Sequence, residues 1–177
     1  MSSTRLVVMG VSGCGKSTIG SLVAHALGIP FVDGDSLHSV ENVAKMAAGT
    51  PLTDADRRPW LAVVGRALAQ TDGPGLVVAC SALKRSYRDA IRAQASDVFF
   101  LHLHGTRELL STRLARRAGH FMPADLLDSQ LATLQPLQPD ETGYAVDIDQ
   151  PVSEILKQAV LAAGSGIQTE AVAAAVR

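Results

Sequence analysis

Aromatic side chains are scarce in this sequence: one Trp, two Tyr and four Phe make up 4% of it. No stacking platform for the bases of a single strand stands beside its basic clusters, which argues against binding RNA or DNA. Cysteine is scarcer still. Cys14 and Cys80 lie far apart and form no C-x-x-C pair, which argues against both a disulfide framework and a zinc site. Neither sign of charge is in excess. The 16 Lys and Arg set against 17 Asp and Glu leave a net charge of −1, so no global field draws nucleic acid or an anionic membrane. Apolar runs are short, none near the ~20 residues of a bilayer span, and Met1 to Thr4 shows no secretory pattern. The expectation is a cytoplasmic protein without a membrane partner. A guanine-nucleotide switch needs an N-K-x-D motif, which is missing; D-x-x-G occurs at Asp72–Gly75 and Asp140–Gly143, each reading as a turn or loop.

What is present begins with glycine. Gly10-Val11-Ser12-Gly13-Cys14-Gly15-Lys16-Ser17 follows the apolar run Arg5–Met9 and precedes a helical pattern from Thr18 to Leu27. Strand, glycine loop and helix start in that order make a phosphate-binding loop, in which backbone N–H groups and the helix N-terminus face phosphate oxygens. Lys16 then reaches the β- and γ-phosphates and Ser17 ligates Mg²⁺. Cys14 and Cys80 read as small space-fillers. The alternative for Cys14, beside a helix start, is a lowered thiol pKa and sensitivity to oxidation.

At 177 residues with 47% apolar and 19% charged side chains, the chain fits one domain able to bury about 70% of its unfolded surface. Short apolar runs at 5–9, 31–32, 76–79, 98–103 and 144–149 alternate with helical patterns, which predicts a parallel sheet covered on both faces with right-handed crossovers. Alternation after the second strand sends Asp33 and Asp35 to one side. The third strand ends in Cys80-Ser81 without an acid, so support for Mg²⁺ falls to Asp33 or Asp35, or else to Asp147 or Asp149. Thr53 caps a helix in which Pro59 predicts a bend or a later start. Arg57 and Arg58 have two readings, salt bridges with the neighbouring acids or anchorage of an anionic substrate. His102 and His104 read as packed or edge residues. The Arg-rich break before Pro123 separates two helical patterns and would suit a lid over phosphates. The tail from Gly164 is weakly patterned.

The sequence resembles the gluconate kinase family of small P-loop kinases. The likeness runs from about Leu6 to about Leu161 through MGVSGCGKST, DGDSLHSVENVAKMAAGTPLTDADRRPWL, CSALKRSYRD, GHFMPADLLDSQLATL and VDIDQP. It implies a three-layer α/β/α fold with sheet order 2-3-1-4-5, a lid at about 113–134, phosphorylation of D-gluconate by ATP with Mg²⁺, and a homodimer. Matched by position, Gly10, Ser12, Gly13, Cys14, Gly15, Lys16, Ser17 and Thr18 would hold ATP, joined by Arg113 and Arg117 of the lid. Asp35 would take the acceptor hydroxyl's proton, with Lys16 and Arg117 also catalytic. Asp35, His38, Arg57, Lys84 and His120 would surround the sugar acid. Ser17, and Asp33 through water, would hold Mg²⁺. Cys14 departs from the small hydroxyl residue common in the family's loop, and Ala118 from its usual charged residue.

Overall fold

The computed structural model describes residues 3–116 and 124–165. Strands β1 (Thr4–Met9), β2 (Phe31–Asp33), β3 (Gly75–Ala79), β4 (Phe99–His104) and β5 (Gly143–Asp147) form one sheet in the order β2-β3-β1-β4-β5. All pairings are parallel, with Val8 level with Ala79 on one side and Leu101 on the other. The implied order is therefore observed. Helices α1 (Lys16–Leu27), α2 (Val40–Ala47), α3 (Asp54–Ala69), α4 (Arg85–Arg92), α5 (Arg107–Ala115), α6 (Ala124–Thr133) and α7 (Val152–Ser165) connect and cover the strands.

The period-2 alternation of β1 divides the core. Leu6 and Val8 join Phe99, Leu101 and Leu103 on one face, packed with Ile19, Leu110 and Ile155 of α1, α5 and α7. Val7 and Met9 join Val78 and Phe100 on the other, packed with Leu61 and Leu68 of α3 and Ile91 of α4. Every residue of β3 is buried, as a central parallel strand between two helical layers requires.

Helix α3 keeps the Thr53 cap and excludes the later start that Pro59 offered. The helix starts at Asp54, and Pro59 lies within it. The Thr53 hydroxyl accepts from the Asp56 N–H at 3.2 Å, and the Asp56 carboxylate accepts from the Thr53 N–H at 2.7 Å. This reciprocal cap satisfies two otherwise orphaned donors and sets the start ahead of the proline.

Beneath the third strand end lies a buried ion cluster. Arg88 Nε and Nη2 donate to Glu141 at 2.6 and 2.8 Å, and Arg88 Nη1 donates to the carbonyls of Ala82 and Leu83. Ala82 has φ of 43°, the one non-glycine residue at positive φ among the described residues. Its carbonyl is thus tied down where the backbone is costliest to hold.

Candidate active site

The loop joining β1 to α1 is shaped by its contacts beneath. Gly10 has φ of 142°, and a Cβ there would stand 2.5 Å from the Leu103 carbonyl oxygen. Only glycine fits that approach. At Gly13 a Cβ would lie 2.9 Å from Leu114 Cγ, so α5 supports the loop directly. Gly15, at the N-cap of α1, is left-handed and supplies no capping side chain. The first N–H groups of α1 are left for an anion.

Lys16 Nζ donates to the Val11 carbonyl at 3.2 Å, folded back along the loop. Ser17 Oγ donates to Asp33 Oδ2 at 2.8 Å. β2 stops at Asp33, and residues 34–37 turn in a short 3-10 helix that Asp33 caps by accepting from the Asp35 N–H at 3.1 Å. Asp33 and Asp35 do reach the same cleft, as expected. The means is this turn rather than strand alternation. Gly34 permits it, since a Cβ there would meet the Ala79 carbonyl oxygen at 2.6 Å. The cleft, about 450 Å³, is lined by Ser12, Lys16, Ser17, Asp33, Asp35 and Gln130 among others. Asp147 and Asp149 stand at the opposite sheet edge, where Asp147 accepts from the Asp149 N–H.

Gln130 escaped sequence reasoning. Its Oε1 accepts from the Ser12 N–H at 2.7 Å and its Nε2 donates to Ser12 Oγ at 3.0 Å. A signal existed: Gln130 falls beside Leu127 and Leu131 on one stripe of α6, a polar residue on an inward face.

The cleft lining includes none of His38, Arg57 and Lys84; His38 lies beside it, with Nε2 4.0 Å from Asp35 Oδ1. His38 stacks on Trp60 with ring centroids 4.0 Å apart, and the Trp60 indole N–H donates to the Gly34 carbonyl at 2.8 Å. Burial pushes the His38 pKa below its usual value; Asp35 opposes this and Arg57 adds to it. The Arg57 guanidinium sits 5.9 Å from the centre of the Tyr87 ring, and that side chain has no hydrogen-bond or ion-pair partner among the described residues. Of the two readings of Arg57 and Arg58, the salt bridges with the neighbouring acids are not formed, and lysines hold those acids instead. Lys45 binds Asp56 at 2.6 Å and Lys84 binds Asp54 at 2.8 Å. Lys45, with the Thr53 N–H and hydroxyl, holds the Asp56 carboxyl down at about 2. Tyr87 also donates to Asp54, at 2.5 Å. Lys84 is thereby neutralised, whereas Arg57 and Arg58 both lack an ion-pair partner among the described residues.

Arg113 donates to the Ile148 carbonyl at 2.8 Å, which places it against the connection following β5. Thr18 lines the cleft. Arg117 and His120 lie outside the described residues, as do Ala118 and the tail beyond Ser165. The reactive reading of Cys14 is overturned. Its side chain is buried beneath Gly10, and burial raises the thiol pKa despite Lys16 nearby. Only the backbone at Cys14 can face a ligand. Cys80 is likewise buried and pushed up to about 12. His102 is packed, its pKa lowered by burial to about 4, while His104 is exposed at the strand end. No group of three or more His, Cys, Asp or Glu among the described residues is placed to hold a metal ion, and no described helix is long and apolar enough to cross a membrane.

This arrangement can bind a polyphosphate at the loop and present a carboxylate to an acceptor beside it. The family model of shikimate kinase matches residues 12–134. The chain is 47% identical over 157 residues to a gluconokinase of Gluconobacter oxydans, with 88% of each chain covered. It is 44% identical to the thermosensitive gluconokinase of Escherichia coli, covering 92% of this chain and 90% of that one. The crystal structure of a gluconokinase from Sinorhizobium meliloti superimposes with a TM-score of 0.83 at 45% identity, covering 98% and 97%.

Proposed function

The chain belongs to the gluconate kinase family of small P-loop kinases, and from that premise we propose that it transfers the γ-phosphoryl group of ATP to D-gluconate, giving ADP and 6-phospho-D-gluconate. The observation that carries this reading is the exposed carboxylate of Asp35 in the same cleft as Lys16 and Ser17. Phosphoryl transfer needs positioning and charge neutralisation more than covalent help. Lys16 exchanges its Val11 acceptor for phosphate oxygens, and the N–H groups from Gly13 to Thr18 receive the rest of the chain of phosphates. Asp35 accepts the proton of the acceptor hydroxyl. Arg57 pairs with the gluconate carboxylate, because a flexible polyol anion requires a cation that no protein acid already holds. Lys84 and His38 address hydroxyls nearby. Arg113 serves the nucleotide from α5. Arg117, as a catalytic cation, and His120, as a substrate contact, enter from the resemblance alone.

Mg²⁺ fits the donors present. The Ser17 hydroxyl and Asp33 carboxylate are hard oxygen groups 2.8 Å apart, suited to an ion that keeps water and phosphate ligands. When bound, the ion neutralises charge on the phosphates; Ser17 would hold it directly and Asp33 through water. The same reading takes residues 1–177 as one kinase domain, with a lid at about 113–134, acting as a cytoplasmic homodimer.

The test is ADP release, coupled to NADH oxidation, over gluconate, other aldonates, shikimate and nucleoside monophosphates. Turnover is expected with gluconate. Turnover on another acceptor with none on gluconate would overturn the reading.

A further inference from the structure

Asn42 is buried although it stands on α2, a short and mostly exposed helix. Its side-chain nitrogen lies 3.0 Å from the Asp56 carbonyl oxygen and 3.3 Å from His38 Nδ1. A main-chain carbonyl can only accept, so the amide atom facing Asp56 is the nitrogen, and the orientation of the amide follows from its partner. The second hydrogen of that nitrogen points at Nδ1, which must then offer a lone pair. In a neutral imidazole the proton is consequently on Nε2. Trp60 holds the ring plane, with the two rings 17° from parallel. Two charged groups act on this ring, Asp35 and Arg57, while burial favours its neutral form. His38 Nε2 lies 4.0 Å from Asp35 Oδ1. That gap is too long for a direct hydrogen bond and is spanned by one oxygen making two bonds of about 2.8 Å.

We propose that Asn42 is a positioning residue that fixes His38 in its Nε2–H tautomer, and that His38 and Asp35 together grip the acceptor hydroxyl. The imidazole N–H donates to the hydroxyl oxygen while the hydroxyl donates to the Asp35 carboxylate. This rests on the kinase reading above and adds the orientation of the nucleophile. As the hydroxyl oxygen bonds to the γ-phosphorus, its proton passes to Asp35. The bond from the γ-phosphorus to the bridging oxygen breaks, its electron pair staying on ADP. His38 keeps its proton throughout and acts as a donor, never as the base.

Long-range ¹H–¹⁵N correlation NMR of the ligand-free protein, with His38 assigned from the missing signal in His38→Gln, reads the tautomer directly. The expected result is a protonated Nε2 and an unprotonated Nδ1 at pH 7.5, with the pattern averaging between tautomers in Asn42→Ala. A protonated Nδ1 in the wild type, or an unchanged pattern in a folded Asn42→Ala, would overturn the proposal. In turnover, His38→Ala is expected to lower kcat on gluconate about 10- to 100-fold, the loss of one hydrogen bond to a reacting group. KM for ATP stays near wild type. His38→Gln, which keeps an N–H near the Nε2 position, restores kcat to within about tenfold of wild type; equal losses in the two variants would remove the donor role. The NMR result needs no acceptor, so failure to phosphorylate gluconate would sink the substrate reading while the tautomer still decides the role of Asn42.

Discussion

Asp35 and Arg57 make separable demands on the substrate, and single substitutions separate them. Asp35→Asn keeps size and polarity but cannot take a proton, so kcat should fall about 10²- to 10⁴-fold. Steady-state rates at saturating ATP and gluconate check this, and a wild-type kcat would remove Asp35 from the role of base. Arg57→Ala removes a cation that no acid of the described residues holds. KM for gluconate should rise with KM for ATP little changed; a rise confined to ATP would move Arg57 to the nucleotide. The types of these side chains were legible in the sequence, but their pairings were not. Asp54 and Asp56 are near neighbours of Arg57 in sequence, yet their partners are Lys84 and Lys45. Which cation remains free is decided by helices that meet only in the folded chain.

Helix positions were largely legible because apolar stripes and Thr or Ser caps are local signals. Thr53, Ser39 and Thr106 each cap as residues of their type do. The Thr53 cap of α3 was legible, but the later start that Pro59 also offered could not be dismissed from sequence, because a reciprocal cap needs two side chains in the right rotamers. Contacts between elements were invisible, and the clasp of α6 on the phosphate loop spans 118 positions. Gln130→Ala deletes both of its bonds and leaves the Ser12 N–H to be ordered when nucleotide binds. KM for ATP should rise about 5- to 30-fold, as expected for 1–2 kcal/mol. An unchanged KM for ATP in a variant melting at the wild-type temperature would show that the clasp does not prepare the loop.

Taken whole, the molecule is held near its third strand end by the buried pair of Arg88 and Glu141. Burial pushes the Glu141 carboxyl up, but bonds from Arg88, the Gln138 N–H and Arg92 outweigh it and hold it down at about 2. A carboxylate depressed in the folded state stabilises at pH above its unfolded value, near 4.5, and that stability is lost as pH falls from there toward 2. Thermal melting should therefore show little contribution from Glu141 titration between pH 8 and 5, and a decline below about 4.5. Glu141→Gln leaves Arg88 buried without its counter-charge and should cost about 3–5 kcal/mol in urea unfolding at pH 7, with that cost shrinking as pH falls through the same window. Equal stability at pH 7 would refute the role assigned to this pair. At this scale the parallel sheet was legible from strands alternating with helices. Its order came through family resemblance, because periodicity says which segments are strands and nothing about which strands are neighbours.

The dependence of the phosphate loop on α5 and α6 has a consequence for biosynthesis. Lys16 leaves the ribosome about a hundred residues ahead of the supports of its loop, for Gly13 rests on Leu114 and Ser12 is clasped by Gln130. The strands flanking β1 are also supplied late, ending at Ala79 and His104. Long-range pairings of this kind form only after the intervening chain is made. Nucleotide stabilises a chain only in proportion to its affinity for the folded site, so nascent chains cut short before α6 gain no protection from ATP, however much of the binding motif they already contain.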